Sequence, residues 1–388
     1  MQTSSWLDPR ERAWVEVDEA ALALNTRQIC SLLRPDTDLM AVIKADAYGH
    51  GAVTVAQTVL EQGATCLGVA TLSEAIQLRR AGQTAPIILL GAVTMPEQVQ
   101  ALAYWRVEPT VSDPAQAQMI AAALDEGVEL PVHLDLDTGM GRLGVPWQEA
   151  AAFVHQIRGV QALRIASVYS HLATADSPDP AGRHLQHQRF EAALRSLAAM
   201  GYYPPCRHLA NSAGTLVDSA LHYDRVRVGL ALYGYAPAPH LADCVTLRPV
   251  LQVRARITQI KRLPAGAGVS YGHHFVAGRP TRIATVAIGY GDGVPRALSN
   301  QLMVLIAGQR ARQVGAITMD HLMVDVTDLP QVQVGDVVTL LGRDGRETLS
   351  PQDWATPLGT IVWEILCGFR HRLPRVTVPV TTSATPVS

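Results

Sequence analysis

The sequence predicts an α/β protein, with an N-terminal (β/α)8 barrel over residues 12–246 and a mostly β domain over residues 247–376. Three observations carry this expectation. Between Asp38 and about Tyr233, short apolar runs alternate with longer alanine-rich segments of helical spacing, the pattern of a parallel sheet covered by helices. Eight such runs occur, the number that closes this barrel. After about Thr246 the helical spacing gives way to β-rich runs broken by Gly and Asp. The chain's 388 residues also exceed the roughly 250–300 at which single cores tend to split.

In chain order, AWVEVD (13–18) reads as a strand that can join the β domain. The barrel strands follow as LMAVI (39–43), CLGVA (66–70), PIILL (86–90), VEPTV (107–111), LPVHLDL (130–136), LRIASVY (163–169), CRHLA (206–210) and YDRVRV (223–228). Between them, TVAQTVLEQ and LSEAIQLRRAG show helical spacing, and glycines 63, 82, 127 and 201 stand where helices should stop. An open doubly wound sheet would satisfy the same alternation, although no GxGxxG fingerprint follows any strand. Beyond the barrel, VLQVRARITQIKRL, TRIATVAIGY, LMVLIAGQRARQVGAI, HLMVDVT and DVVTLLG read as strands, and SPQDWATPLGTIVWEILCGF as helical. Residues 377–388 read as a flexible tail.

Composition narrows the function. Apolar residues make up 48% and charged residues 17%, with a net charge of −2. That balance, without basic runs, argues against nucleic acid or an anionic membrane as partner. The five cysteines are widely spaced without a CxxC pair, which disfavours a disulfide framework or a metal site and fits a reducing cytoplasm. The N-terminus shows no basic start followed by an apolar core.

Chemistry in such a barrel sits at the C-terminal ends of the strands. Those ends carry Lys44, the run DTGMGR with Arg142, SHLATAD with His171, HLANSAG with His208 and Ser212, and RVRVGLALYG with Arg227, Gly229 and Leu230. Taken singly, each has an ordinary structural reading: a solvated rim lysine, hydrogen-bonded histidines, a glycine turn, a strand arginine paired to Asp224, a helix N-cap serine. Read together they share one chemistry. A lysine amine desolvated at an apolar mouth becomes nucleophilic enough for a Schiff base, and backbone amides after strands seven and eight can bind a phosphate. A lysine beside a phosphate site suggests pyridoxal 5'-phosphate.

The motif AVIKADAYGHG resembles the pyridoxal-phosphate signature of the alanine racemase family, and LDTGMGRLG, SHLATAD, HLANSAG, VRVGLALYG, VSYGHHF, GYGDGVPR and TMDHLMVDVT match it in order, from about residue 12 to 376. The resemblance implies a homodimer with shared active sites that racemises alanine by two bases and supplies D-alanine for peptidoglycan. It makes Lys44 the Schiff-base lysine and one base, and Tyr271, reaching over from the partner subunit, the other. Arg142 would orient Tyr271 and neutralise the substrate carboxylate. Arg227 would face the pyridine nitrogen, supported by His171 and His208. Tyr48, Ser212, Gly229 and Leu230 would hold the phosphate, and the partner's β domain would bring Met319 and Asp320 to the substrate entrance.

Two positions depart from the family. Asp135 stands where many members carry a carbamylated lysine, so its carboxylate is expected to replace the carbamate beside Arg142. Val362 and Trp363 stand where the family has an asparagine–tyrosine pair, which removes a phosphate-bonding hydroxyl, since indole is donor-only. The alternatives are a racemase of broader or serine specificity, and a non-catalytic carrier of pyridoxal phosphate.

Overall fold

The chain enters its first strand at β1 (Ala13–Asp18), whose Ala13, Trp14, Val15 and Val17 are buried. The computed structural model describes residues 8–369 and 371–378. These divide into two compact units. One comprises Ala21–Ala47 and Ala52–Arg248; the other comprises the described residues up to Ala20, Tyr48–Gly51 and those from Pro249 onward.

The first unit is a closed barrel. Its strands are β2 (Asp38–Val42), β3 (Ala64–Val69), β4 (Ile87–Ala92), β5 (Val107–Val111) and β6 (Leu130–Asp137), with a two-residue β7 (Val145–Pro146) beside β6. Then come β8 (Leu163–Tyr169), β9 (Arg207–His208) and β10 (Arg225–Val228). All eight ring pairings are parallel, and β5–β6 and β10–β2 close the ring, which excludes the open sheet. The run CRHLA yields only two paired residues. Prolines 204 and 205 lack the N–H a ladder needs, and Asn211 already caps the helix Ser212–Val217.

The helices start and stop where local chemistry dictates. Thr71 and Glu74 form a reciprocal capping box for Leu72–Arg80, and Asp113 caps Pro114–Ala123 with proline at its first turn. Gly63, Gly82, Gly127 and Gly201 all adopt positive φ, a conformation costly for other residues.

In the second unit, β11 (Leu251–Leu263) alternates buried Leu251, Val253, Ala255 and Ile257 with partly exposed Gln252, Arg254 and Arg256. Its first half pairs β1 and β18 (Val337–Asp344), and its second half pairs β14 (Thr281–Val286), with register shifts between. A short hairpin, β12 (Gly268–Val269) with β13 (Phe275–Val276), precedes β14. The strands β15 (Met303–Ile306), β16 (Gln309–Arg312), β17 (Leu322–Asp325), β19 (Glu347–Leu349) and β20 (Arg375–Val378) complete the sheets. Helices Pro351–Leu358 and Val362–Gly368 pack Trp354 and Phe369 into this core, with rings 5.8 Å apart. Residues 377 and 378 belong to β20; the rest of the expected tail, 379–388, lies outside the described residues.

Candidate active site

Lys44 follows β2 and opens a turn of unusual hand. Ala45, Asp46, Ala47 and Tyr48 all have φ of 54°, with Ala47 N–H donating to the Ile43 carbonyl at 2.9 Å. Left-handed helix costs roughly 1–2 kcal/mol per non-glycine residue, so this segment persists because its neighbours over-determine it. Within the barrel, Glu74 accepts from Ala45 N–H at 2.8 Å and Asp46 from Ala52 N–H at 2.8 Å. In the other unit, Gly49 (φ +82°) leaves no room for a Cβ, which would sit 2.5 Å from the Leu366 carbonyl. Tyr48 is buried, which raises its phenol pKa.

The loop after β6 is built by Asp137, whose carboxylate accepts from Gly139, Met140 and Gly141 N–H. Gly144 (φ +97°) folds back so closely that a Cβ would meet Asp135 O and Asp137 N at 2.9 Å. Arg142 emerges exposed from this loop. Asp135 is buried at the end of β6, and burial pushes its carboxyl up to about 6 against the pull of Arg227 and Arg142. Among the described residues, no hydrogen bond or ion pair joins Asp135 to Arg142; the coupling is through the field.

Arg227, on β10, is almost wholly buried and donates from its two terminal nitrogens. Nη1 reaches His208 Nδ1 at 2.7 Å; Nη2 reaches Ser170 O at 2.6 Å, Leu209 O at 3.2 Å and His171 Nδ1 at 3.2 Å. The guanidinium also lies 5.0 Å from the Tyr169 ring centre, and that ring stacks on His208 at 4.7 Å. Both histidines are neutral acceptors. Burial first, then Arg227, holds His208 well below the usual range, and burial with Arg227, Arg142 and Lys44 lowers His171 to about 3. Beyond β9, Asn211 Oδ1 accepts from Gly214 N–H at 3.0 Å, and the buried Gly229 N–H donates to Ser212 Oγ at 3.0 Å. Leu230 is buried directly after.

The barrel thus gathers Lys44, Asp135, Arg142, His171, His208, Ser212, Arg227, Gly229 and Leu230 from the ends of β2, β6, β8, β9 and β10. The second unit holds the others. Tyr271 stands at the tip of the β12–β13 hairpin, 73% exposed, braced by Ser270 Oγ donating to Ala316 O at 2.7 Å. Met319 is exposed on a loop whose backbone accepts from Tyr290 and Gly291 N–H at 2.9 Å. Asp320 accepts from Arg372, which also pairs with buried Asp292 at 3.4 Å, and Asp292 takes both Arg12 terminal nitrogens. Trp363 is partly buried on the helix Val362–Gly368. Sequence reading missed Glu108, His133, Ser167 and Tyr169, polar side chains filling the barrel, and the Arg12–Asp292–Arg372 brace. The signal for the first four was period-two polarity inside otherwise apolar strands.

Fold and mouth together define a (β/α)8 enzyme that presents one amine and fixed cations to a small anionic molecule. The chain matches the models of the alanine racemase N-terminal domain over residues 17–237 and the alanine racemase C-terminal domain over residues 250–377. It is 57% identical to an alanine racemase of Nostoc sp. across 97% of this chain and 98% of that protein. It is 58% identical to one of Synechocystis sp. across 95% of this chain and all of that protein. Among solved structures, it is similar to alanine racemase from Bacillus anthracis with bound L-Ala-P: TM-score 0.90, 37% identity, 95% of each chain. The chain belongs to the alanine racemase family, whose members are isomerases dependent on pyridoxal phosphate.

The residues present fit that cofactor. Lys44 supplies the amine at a strand end. The buried Ser212 hydroxyl accepts from the Gly229 N–H at 3.0 Å, which holds this hydroxyl in place at the mouth. Arg227 has no carboxylate within ion-pair distance among the described residues and is held by neutral acceptors, which suits it to an unprotonated ring nitrogen.

Proposed function

We propose that this protein interconverts L- and D-alanine, using Lys44 and Tyr271 as the two bases on opposite faces of the substrate's α-carbon, and so supplies D-alanine for peptidoglycan. The observation that carries the reading is the arrangement at Arg227: a permanent cation, buried and bonded to two neutral histidines. Bound through Lys44, pyridoxal phosphate supplies an electron sink for the α-carbon's charge. Arg227, which does not readily release its proton, keeps that sink weak, and this favours reprotonation over side reactions. Arg142 offers a planar guanidinium to the substrate carboxylate, and Asp135 supplies the negative field that fixes it, without a modified lysine. Ser212, Gly229, Leu230 and Tyr48 hold the phosphate end.

Tyr271 acts from the partner subunit, its exposure at a hairpin tip supporting a role completed by a second chain. Met319 and Asp320 line the partner's substrate entrance, with Arg12, Asp292 and Arg372 fixing their loop. The domain limits are taken near residues 12–246 and 247–376, a division supported by family matches over 17–237 and 250–377. The cysteines, which form no disulfide among the described residues, suit a reducing cytoplasm, and no helix among the described residues is long and apolar enough to cross a membrane.

Mixing two inactive variants tests the shared site. Lys44→Ala and Tyr271→Phe homodimers, each inactive in racemising L-alanine with added pyridoxal phosphate, should on subunit exchange regain about a quarter of wild-type activity, from one intact site per mixed dimer. No recovery despite demonstrated exchange would refute the shared site. A wild-type preference for serine or larger amino acids in the same assay would refute alanine as the substrate. Absence of α-proton exchange in heavy water with cofactor bound would indicate a carrier.

A further inference from the structure

Behind Arg227 a column of polar side chains crosses the barrel interior. His208 Nε2 lies 2.9 Å from Ser167 Oγ, Ser167 Oγ lies 2.6 Å from His133 Nδ1, and His133 Nε2 lies 2.8 Å from Glu108 Oε2. His133, Ser167 and His208 are buried, while the Glu108 side chain is 23% exposed. Glu108 is the second residue of β5, and Arg227 the penultimate residue of β10. The column therefore runs from near the start of one strand to near the end of another.

Its two ends fix every proton between them. Arg227 can only donate, so His208 Nδ1 must be bare and its proton must sit on Nε2. That N–H donates to Ser167 Oγ. At the far end the Glu108 carboxylate can only accept, so His133 Nε2 carries a proton. Burial outweighs the pull of Glu108 and lowers the His133 pKa, so that ring is neutral and its Nδ1 is bare. Ser167 must then donate its hydroxyl proton to His133 Nδ1. The order Arg227 to His208 to Ser167 to His133 to Glu108 is the single pattern in which no two donors or two acceptors face each other.

We propose that Glu108 is a positioning residue for the active site: as the accepting terminus of this column it locks the tautomers of His133 and His208 and thereby holds the Arg227 guanidinium. The inference rests on the reading above, in which Arg227 serves the cofactor ring. Without an acceptor at position 108, His133 can carry its proton on Nδ1 and Ser167 can turn its hydroxyl toward His208 Nε2, so that Ser167 and Arg227 compete as donors and a His208 proton driven to Nδ1 would face Arg227 Nη1. That juxtaposition of donors repels Arg227 from its seat. A buried polar chain half satisfied is worse than none.

The test uses the full-length holoenzyme with Glu108→Leu, Glu108→Gln and Ser167→Ala. Imidazole nitrogens are read by 15N-histidine NMR, assigned with His133→Gln and His208→Gln. In the wild type, both rings should be neutral with the proton on Nε2. In Glu108→Leu, the His133 and His208 signals should shift toward the Nδ1–H tautomer, and kcat for alanine should fall about tenfold with KM changed less than twofold. Ser167→Ala should lower kcat similarly. Glu108→Gln, which keeps an acceptor oxygen, should recover kcat to within about threefold of wild type. Wild-type tautomers and kcat in Glu108→Leu would overturn the proposal. So would equal losses in all three variants that follow the fraction of folded protein. The NMR result stands independently of turnover, so an inactive wild type would overturn the proposed function while leaving the tautomer lock to be judged on its own.

Discussion

The barrel is filled by two kinds of side chain. Across β2, β3 and β4 the buried Met40, Cys66 and Ile88 pack together with Leu90, and Gly68 lies so close that a Cβ would meet Met40 Sδ at 3.0 Å. Across β5, β6, β8, β9 and β10 the filling is Glu108, Thr110, His133, Asp135, Ser167, Tyr169, His208 and Arg227; hydrogen bonds link Thr110 to Tyr169 and run from Arg227 through His208, Ser167 and His133 to Glu108, while Asp135 couples to Arg227 through the field. Apolar packing is non-directional and tolerant of shape, so it can anchor a strand end such as Lys44 without fixing charge. A buried hydrogen-bonded column tolerates no missing partner, so it can hold a cation such as Arg227 in place. The division matches the chemistry proposed for each half: a reacting amine on one side, a stationary charge on the other.

The sharpest break of that comparison is Lys44→Ala. It should lower racemisation by at least about 10³-fold and abolish the absorbance of lysine-bound cofactor. Its urea midpoint should stay near wild type, because the lysine lies beyond the packed residues of β2. An undiminished rate would sink the role assigned to Lys44.

Met40→Ala probes the apolar half in the opposite currency. It should destabilise by about 2–5 kcal/mol, read by urea unfolding, while the remaining folded protein keeps its kcat within about threefold. A large drop in kcat without loss of stability would show that the apolar side also orients the chemistry.

Asp135→Asn probes the polar half through pH. The carboxyl titrates at 3.8 by reference and at about 6 in the fold. Between those values the folded state binds more protons than the unfolded one. The contribution of Asp135 to stability is therefore greatest below about pH 4 and falls as pH rises through about 6. Stability of the asparagine variant relative to wild type should rise across that window by up to about 3 kcal/mol, as measured by unfolding at fixed pH values. If Asp135 also anchors Arg142, the same variant should raise the KM for alanine about tenfold. A flat stability difference and an unchanged KM would remove both roles.

Trp363→Tyr lies outside both halves and should have the smallest effect. Restoring a hydroxyl donor and acceptor should tighten cofactor retention by about three- to tenfold, followed by dialysis and absorbance. No change would mean that the phosphate is held without this position.

Much of this was legible before any coordinates. Apolar runs of period and length suited to parallel strands, interrupted by alanine-rich helices and stop glycines, specify a helix-covered parallel sheet because each element must bury its apolar side against the next; eight runs fit a barrel, and the β5–β6 and β10–β2 pairings are what close it. Strand ends are equally legible: Lys44, Arg142 and Arg227 follow or close apolar runs, so chain position alone assigns them to the mouth. Glu108, His133 and Ser167 were not legible as a set. Each occupies an inward position on a different strand, and only the ring closure of β5, β6, β8 and β9 brings atoms 25 to 41 residues apart within hydrogen-bond distance.

The sequence by itself determined the strand and helix order, the place of the lysine and the glycines that let the chain turn, because these depend on local sterics and on periodicity. Tertiary structure alone decided which protons sit where: the tautomer of His208, the raised pKa of Asp135 and the left-handed seat of Ala45–Tyr48. Those depend on desolvation and on partners distant along the chain, and both exist only once the barrel has closed.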